Sequence, residues 1–155
     1  MKDVIIYYSN SGTTKALAEK IENEFGGELC ALEPKESYGA YFAAVKRSSY
    51  ERKNNIVPEY EAPAINLSDA NVVFVGYPIW YSEPPKLVLD YLSKHDLSGK
   101  TVIPFSTSGG TGIKATLKSL EAAVGGAEIK LPYNHSIFFK TDFRKWAKKV
   151  RELAV

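Results

Sequence analysis

The sequence predicts an α/β fold in which a doubly wound, five-stranded parallel sheet lies between two layers of helices. Apolar runs of strand length alternate with amphipathic stretches of helix length along most of the chain. The runs at 4–8 and 72–76 are rich in β-branched and aromatic residues and show no polar alternation, as strands buried on both faces do. Such alternation is typical of three-layer α/β proteins with right-handed crossovers.

Local signals give the bounds of the individual elements. The first helix ends at Gly26-Gly27, and the helix at 84–95 begins at prolines. The predicted strands are 4–8, 28–32, 72–76, 102–105 and 127–131, and the predicted helices are 13–25, 84–95, 113–124 and 142–153. The segment Glu33 to Asp69 is longer than a simple connection requires. We therefore expect a lid or an extra surface layer there, with Tyr41 to Arg52 as its candidate helix.

Length and composition bound the class of protein. With 155 residues, 45% of them hydrophobic, the chain suits a single domain over 1–155. A formal net charge of +2 argues against nucleic acid as a partner, and no apolar run is long enough for membrane insertion. The apolar run at Val4 leaves no room for a signal peptide, and Cys30 is the only cysteine. We therefore expect a cytoplasmic protein without intrachain disulfides.

The hexapeptide Ser9–Thr14, called loop 1 below, follows the first predicted strand and leads directly into a helix. Five of its six residues carry a hydroxyl or amide side chain, and Gly12 permits a tight turn. Backbone N–H groups at a helix start, together with hydroxyl donors, bind phosphate. Ser and Thr are also common helix caps, but one cap would suffice, so the density of hydroxyls favours phosphate binding. Neither the Walker nor the dinucleotide glycine pattern occurs.

Two further loops follow the third and fourth predicted strands. Residues 76–85, loop 2, carry three aromatic residues on a proline-stiffened backbone, and such rings stack on planar ligands. Tyr77 is equally compatible with a structural role, in which its ring packs over the end of the sheet. Residues 106–112, loop 3, contain three glycines that let the backbone approach a ligand closely. Because ligands bind at the carboxyl ends of parallel strands, we expect the three loops to form one site.

Together these loops resemble those of flavodoxins and flavodoxin-like FMN proteins. Loop 1 is similar to the Thr/Ser-x-Thr-Gly-x-Thr phosphate loop of that family, and the segments 76–81 and 104–110 look like a bacterial subgroup with a long segment between strands two and three. The resemblance implies FMN as cofactor and the strand order 2-1-3-4-5. The cofactor-binding residues that it implies, with Tyr77 added from the loop pattern, are Ser9, Asn10, Ser11, Gly12, Thr13 and Thr14 at the phosphate; Tyr77, Pro78, Ile79, Trp80 and Tyr81 beside the ring; and Thr107, Ser108, Gly109 and Gly110 at its pyrimidine side.

The resemblance leaves two functions open. The first is an electron carrier for redox partner proteins or a small acceptor. The alternative is an NAD(P)H-dependent FMN reductase acting on quinones or similar small acceptors, with the segment Glu33 to Asp69 as a lid. Its candidate substrate-lining residues are Tyr38, Tyr41, Arg47 and Arg52. A flavin-free receiver domain is disfavoured, because Ser9, Asn10 and Ser11 stand where that domain needs acidic residues.

No residue is predicted to act as a catalytic acid or base. His95 and His135 have no second ligand at metal spacing, so we expect no metal site. Cys30 lies in a predicted strand and is expected to be a core thiol. Only Glu83 is acidic in the two ring-facing loops, so we expect a less depressed flavin potential than in acidic carriers.

Overall fold

A computed structural model describes residues 3–153. Strand β1 (Val4–Tyr7) lies between β2 (Glu28–Ala31) and β5 (Val72–Pro78), and β6 (Thr101–Thr107) and β7 (Glu128–Ile129) extend the sheet beyond β5. All these pairs are parallel, and the order β2-β1-β5-β6-β7 is the predicted order 2-1-3-4-5.

The predicted fifth strand is divided into two short strands. β7 and β8 (Tyr133–His135) each pair in parallel with β6. Between them, Leu131 has a φ of 48°, and Pro132 has no N–H to give to a ladder. The sheet therefore has six strands, and the prediction of five is corrected on this point.

Helices cover both faces of the sheet. On one face, α1 (Thr13–Phe25) and α5 (Phe143–Leu153) bury Leu17 and Trp146 in one core cluster. The other cluster receives residues from α2, α3 and α4. Those three helices are Tyr41–Lys53, Lys86–Ser93 and Leu117–Val124, and a 3₁₀ turn at Ile113–Thr116 precedes the last of them. The predicted three-layer architecture is confirmed.

Side chains of the first strand alternate between the two clusters. Ile5 and Tyr7 belong to the cluster under α1 and α5, whereas Ile6 and Tyr8 belong to the opposite one. This alternation follows from the two-residue period of a strand. It explains why the run at 4–8 contains no polar residue.

Gly76 in β5 leaves room for a large aromatic ring on the neighbouring strand β6. It pairs in register with Phe105, and a Cβ on Gly76 would lie 2.1 Å from that ring. No side chain fits at such a distance, so Gly76 is required for the fully buried Phe105 to fill the centre of the sheet.

The long segment after β2 forms an extra surface layer. Two short strands, β3 (Glu33–Pro34) and β4 (Tyr60–Glu61), pair antiparallel on either side of α2. The Tyr60 hydroxyl donates to Asp90 Oδ2 at 2.6 Å, and Arg52 Nη1 donates to the Tyr81 carbonyl at 3.2 Å. These bonds tie the layer to α3 and to loop 2.

Among residues 3–153, no helix is long and apolar enough to cross a bilayer. The expectation of one domain over 1–155 also covers four terminal residues outside this range, and it stays a prediction.

Candidate functional site

A cavity of about 560 Å³ opens at the carboxyl ends of β1, β5 and β6. Its volume lies within the range of about 300–1,000 Å³ that is usual for cofactor and small-molecule sites. The residues that line it are Asn10, Ser11, Thr13, Thr14, Gly39, Ala40, Tyr41, Pro78, Ile79, Trp80, Thr107, Ser108, Gly109, His135, Ser136, Ile137 and Lys140. The three loops selected from the sequence therefore meet at one cavity.

Different residues of loop 1 cap the following helix and line the cavity. Ser9 Oγ accepts hydrogen bonds from the backbone N–H of Gly12 at 3.2 Å and of Lys15 at 3.0 Å. Ser9 therefore stabilises the turn and does not line the cavity. Gly12 has a φ of 99°, in the left-handed region that favours glycine, and its turn brings Ser11 and Thr13 to the cavity wall.

The cavity-lining part of loop 1 fits a phosphate. Within residues 3–153, the backbone N–H groups of Ser11, Thr13 and Thr14 have no acceptor. The Ser11 and Thr13 hydroxyls are exposed and contact only each other, at 3.4 Å. These donors lie at the start of the 13-residue helix α1, where the helix dipole favours an anion.

A buried pair of hydroxyls joins loop 1 to loop 3. Thr14 Oγ1 and Thr107 Oγ1 are 2.8 Å apart, and both side chains are buried. Loop 3 is closed by a hydrogen bond from Ser108 Oγ to the Thr111 carbonyl. The hydroxyl pair therefore holds loop 1 against the glycine-rich wall.

Trp80 contributes an aromatic side chain to the cavity wall. Its ring is only 3% exposed and packs on Tyr38 and Tyr8, with centroid distances of 5.3 and 5.9 Å. Trp80 also exchanges two backbone hydrogen bonds with Glu83 across a tight turn. The two central residues of this turn, Tyr81 and Ser82, have φ values of 52° and 61°.

Three predicted ring contacts have other surroundings. Tyr81 is 64% exposed on the outer side of that turn and does not line the cavity. Tyr77 is fully buried, and its hydroxyl lies 2.7 Å from Thr116 Oγ1, so it roofs the core. Gly110 also lies outside the lining, beneath the ring of Phe138. These three residues do not line the cavity, and their contact with the ring stays a prediction.

A buried ionic network lies next to Trp80, because its member Tyr38 packs on the Trp80 ring. The Tyr38 hydroxyl donates to Glu51, and Arg47 Nε donates to the other Glu51 oxygen at 3.1 Å. The Arg47 guanidinium also lies 4.0 Å from the Tyr38 ring centroid. Burial and the bond to Glu51 raise the pKa of Tyr38 above its usual range. Tyr38 and Arg47, candidates for a substrate lid, do not line the cavity, whereas Tyr41 does.

One wall of the cavity was not predicted from the sequence: the hairpin 134–141, which begins within β8. Ser108 N–H donates to the His135 carbonyl at 3.1 Å, and Ser136 N–H donates to the Phe139 carbonyl at 3.1 Å. These bonds place His135 and Lys140 on the cavity wall. Neither side chain has an ion-pair or hydrogen-bond partner in the described part of the chain, and no carboxylate lines the cavity.

Other chemistry-bearing residues are structural. Cys30 is buried in β2, where burial raises the pKa of its thiol, so the expected core role is confirmed. Over the range 3–153, no three His, Cys, Asp or Glu residues are placed to hold a metal ion.

Comparison with known proteins identifies relatives of the whole chain. The family model for flavodoxin matches residues 2–150. A candidate flavoprotein from Bacteroides eggerthii is 30% identical with a TM-score of 0.82, covering 99% of this chain and 98% of its own. A flavoprotein from Lactobacillus acidophilus in complex with FMN is 25% identical with a TM-score of 0.76, covering 94% and 98%.

An NADH:FMN oxidoreductase shares the fold alone, at 14% identity and a TM-score of 0.59, with coverage of 100% and 90%. Comparison with curated proteins finds no significant match. The family model, the strand order and the cavity at the carboxyl ends of the strands agree, and the chain belongs to the flavodoxin family.

Proposed function

We propose that the protein binds FMN non-covalently in this cavity and transfers electrons through it. The observation that carries the proposal is the cavity itself, whose wall includes both the unpartnered donors of loop 1 and the buried Trp80. Family membership and the FMN complex of the Lactobacillus acidophilus relative support FMN as the cofactor.

Each part of the cavity has a separate task. Loop 1 binds the phosphate through the N–H groups of Ser11, Thr13 and Thr14 and the hydroxyls beside them. Trp80 supplies an apolar wall that orients the ring, and the backbone of Thr107–Gly109 approaches its polar edge. The flavin supplies the redox chemistry, while the chain supplies binding, orientation and electrostatics.

The charge of the cavity wall determines how costly reduction is. Reduction adds electrons to the bound cofactor, and nearby carboxylates would oppose the added negative charge. No carboxylate lines this cavity, and Lys140 does. This distribution supports the expectation of a less depressed potential than in acidic carriers.

A second candidate is an FMN reductase that uses NAD(P)H and small acceptors such as quinones. The observation that favours it is Tyr41, which brings the extra surface layer to the cavity wall. Electron transfer between proteins is the preferred function, because the flavodoxin family model matches the chain, whereas the NADH:FMN oxidoreductase shares only the fold.

The first test is an absorption spectrum of the purified protein, before and after addition of FMN and desalting. Flavin bands that remain after desalting support the site, and loss of all flavin contradicts it. Steady-state oxidation of NADPH with a quinone acceptor then separates the candidates. The carrier predicts no turnover above free FMN, whereas saturable turnover identifies the reductase.

A further inference from the structure

Within residues 3–153, the exposed large apolar side chains include two that line the cavity, Tyr41 and Ile137. Within residues 3–153, nine such side chains are exposed, and all lie in three segments: α2 with the turn after it, the tip of loop 2, and the hairpin 134–141. We call this set the apolar face. Its members are Tyr41, Phe42, Tyr50, Ile56, Val57, Tyr81, Ile137, Phe138 and Phe139.

The hairpin exposes its apolar tip to solvent, while hydrogen bonds hold its backbone. Ser136 Oγ bonds to both the N–H and the carbonyl of Phe139, and Asn134 Oδ1 accepts the N–H of Ile113 at 2.6 Å. The backbone is thus fixed while Ile137 and Phe138 remain 79% and 77% exposed. Concentrated exposure of this kind marks an interaction site rather than scattered surface apolarity.

The cavity mouth joins the parts of the apolar face. Tyr41 of α2 and Ile137 of the hairpin both line the cavity, and Phe42 packs edge-on against Tyr41 with ring centroids 5.4 Å apart. Arg52 fastens α2 to the Tyr81 carbonyl. A partner seated on the face therefore lies over the cavity that we propose for FMN.

The charged residues among these segments are mostly cations. Residues 41–57, 79–83 and 134–141 carry five cations and two carboxylates. The cations are Lys46, Arg47, Arg52, Lys53 and Lys140. Glu51 is buried and bonded to Arg47 and Tyr38, and Glu83 Oε2 accepts the Ser119 hydroxyl at 2.5 Å. Both carboxylates are therefore engaged. Arg47 is bonded to Glu51 and Arg52 to the Tyr81 carbonyl, so the exposed Lys46, Lys53 and Lys140 are the cations left to face a partner.

We propose that the apolar face docks an acidic redox protein, one whose contact surface has an apolar centre and a rim of Asp and Glu. The proposal rests on the proposed FMN function and adds the charge of the partner. Opposite charge steers encounter and fixes orientation, while the apolar residues exclude water from the contact. A second copy of this chain is disfavoured because it would bring the same cations against each other.

The test uses FMN-loaded protein and two probe proteins of opposite charge. In the first reaction, one electron passes from a reduced acidic [2Fe–2S] ferredoxin to the oxidised flavin. In the second, one electron passes from the photoreduced flavin to basic ferric cytochrome c. We expect the ferredoxin rate to fall about tenfold between about 10 mM and 500 mM salt, and the cytochrome rate to rise. The opposite pair of salt dependences would overturn the proposal.

Matched variants test whether the salt dependence of the ferredoxin reaction arises from the apolar face. Lys46→Glu with Lys53→Glu should slow the ferredoxin reaction about tenfold at low salt. Lys148→Glu with Lys149→Glu, at two exposed positions of α5, should leave most of the ferredoxin rate. Phe42→Ser with Phe138→Ser should slow the reaction at every salt concentration. Equal effects of the two charge-reversal pairs would contradict docking on this face.

Two controls distinguish failure of the docking proposal from failure of the proposed FMN function. Retained flavin absorbance and unchanged oxidation by neutral benzoquinone show that a variant still holds a working cofactor. If flavin is lost from the unmodified protein, the proposed function fails instead. The unmodified protein is also tested for dimerisation and for co-sedimentation with phosphatidylserine vesicles. If it shows either behaviour and Phe42→Ser with Phe138→Ser abolishes it, the face binds another occupant and the proposal is overturned.

Discussion

Loop 1, a single hexapeptide of small polar residues, supplies the proposed phosphate donors, and we call it the phosphate end of the cavity; the ring end is Trp80, around which several distant segments meet. Ser11 and Thr13 are exposed, and their hydroxyls contact only each other. Trp80, in contrast, is buried against Tyr8 and Tyr38, and Tyr38 is bonded to the buried Glu51.

This difference separates binding from stability. The Ser11 and Thr13 side chains interact mainly with solvent until a ligand arrives, so their replacement should change affinity and leave the fold intact. Side chains at the ring end are part of the core between the sheet and α2. Their replacement should destabilise the apoprotein as well as change the site.

The largest effect should follow Trp80→Ala. Removing this buried ring should lower the free energy of unfolding of the apoprotein by about 3–5 kcal/mol, because a cavity replaces packed aromatic surface. Urea unfolding followed by circular dichroism measures the change. Tyr81→Ala is the matched control, since that adjacent ring is 64% exposed and its loss should change stability by about 0.5 kcal/mol or less. Equal losses would show that Trp80 is not coupled to the core.

Gly12→Ala should affect both stability and affinity. The φ of 99° becomes strained with any side chain, which should cost about 1–2 kcal/mol of unfolding free energy. Gly99→Ala is the control, because Gly99 also has a positive φ of 77° and open space for a Cβ. Both variants should lose similar stability, but only Gly12→Ala should weaken FMN binding, as measured by fluorescence titration. Equal affinity in the two variants would remove loop 1 from the site.

Lys140→Gln tests the charge at the ring end. We expect the preference for reduced over oxidised FMN to fall about three- to tenfold, the size of a partly exposed charge interaction. Dissociation constants measured for both redox states give this ratio. Lys148→Gln on α5 should leave it unchanged. An unchanged ratio in Lys140→Gln would mean that this cation does not act on the flavin ring.

The smallest expected effect is a loss of stability at alkaline pH. Burial raises the pKa values of Tyr8, Tyr38 and the Cys30 thiol, whose ordinary values are 10.0 for the phenols and 9.0 for the thiol. The unfolded chain therefore releases these protons first, and the free energy of unfolding falls as the pH rises above about 9. Urea midpoints between about pH 7 and pH 10 measure the slope. Cys30→Ala should make it shallower, and an identical slope would contradict a raised thiol pKa.

Elements fixed by local pattern were predictable from the sequence. Loop 1 is one continuous stretch whose composition indicates phosphate binding, and the strand order follows from the family resemblance. Tyr77 also had a usable signal, because Val73, Val75 and Tyr77 alternate onto the same core cluster. The two-residue period of β5 thus assigns Tyr77 to the core and leaves Trp80, beyond the strand, for the cavity.

Features fixed by long-range contacts were not predictable. The hairpin 134–141 contains no glycine or proline, and Ile137–Phe139 reads as a buried apolar run rather than an exposed tip. Its position depends on the bonds from Ser108 to His135 and from Ile113 to Asn134. Likewise, a carboxylate in α2 reads as solvated, and only the approach of Tyr38 and Arg47 makes the burial of Glu51 tolerable.

The most direct measurement is titration of the apoprotein with FMN and with riboflavin, which lacks the phosphate, in the unmodified protein and in Ser11→Ala with Thr13→Ala. We predict that FMN binds about 100-fold more tightly than riboflavin, consistent with two charge-assisted hydrogen bonds. The double variant should narrow this gap about tenfold while its urea midpoint and its riboflavin affinity stay unchanged. Equal affinities for the two ligands, or a gap that the double variant leaves intact, would contradict a phosphate site in loop 1.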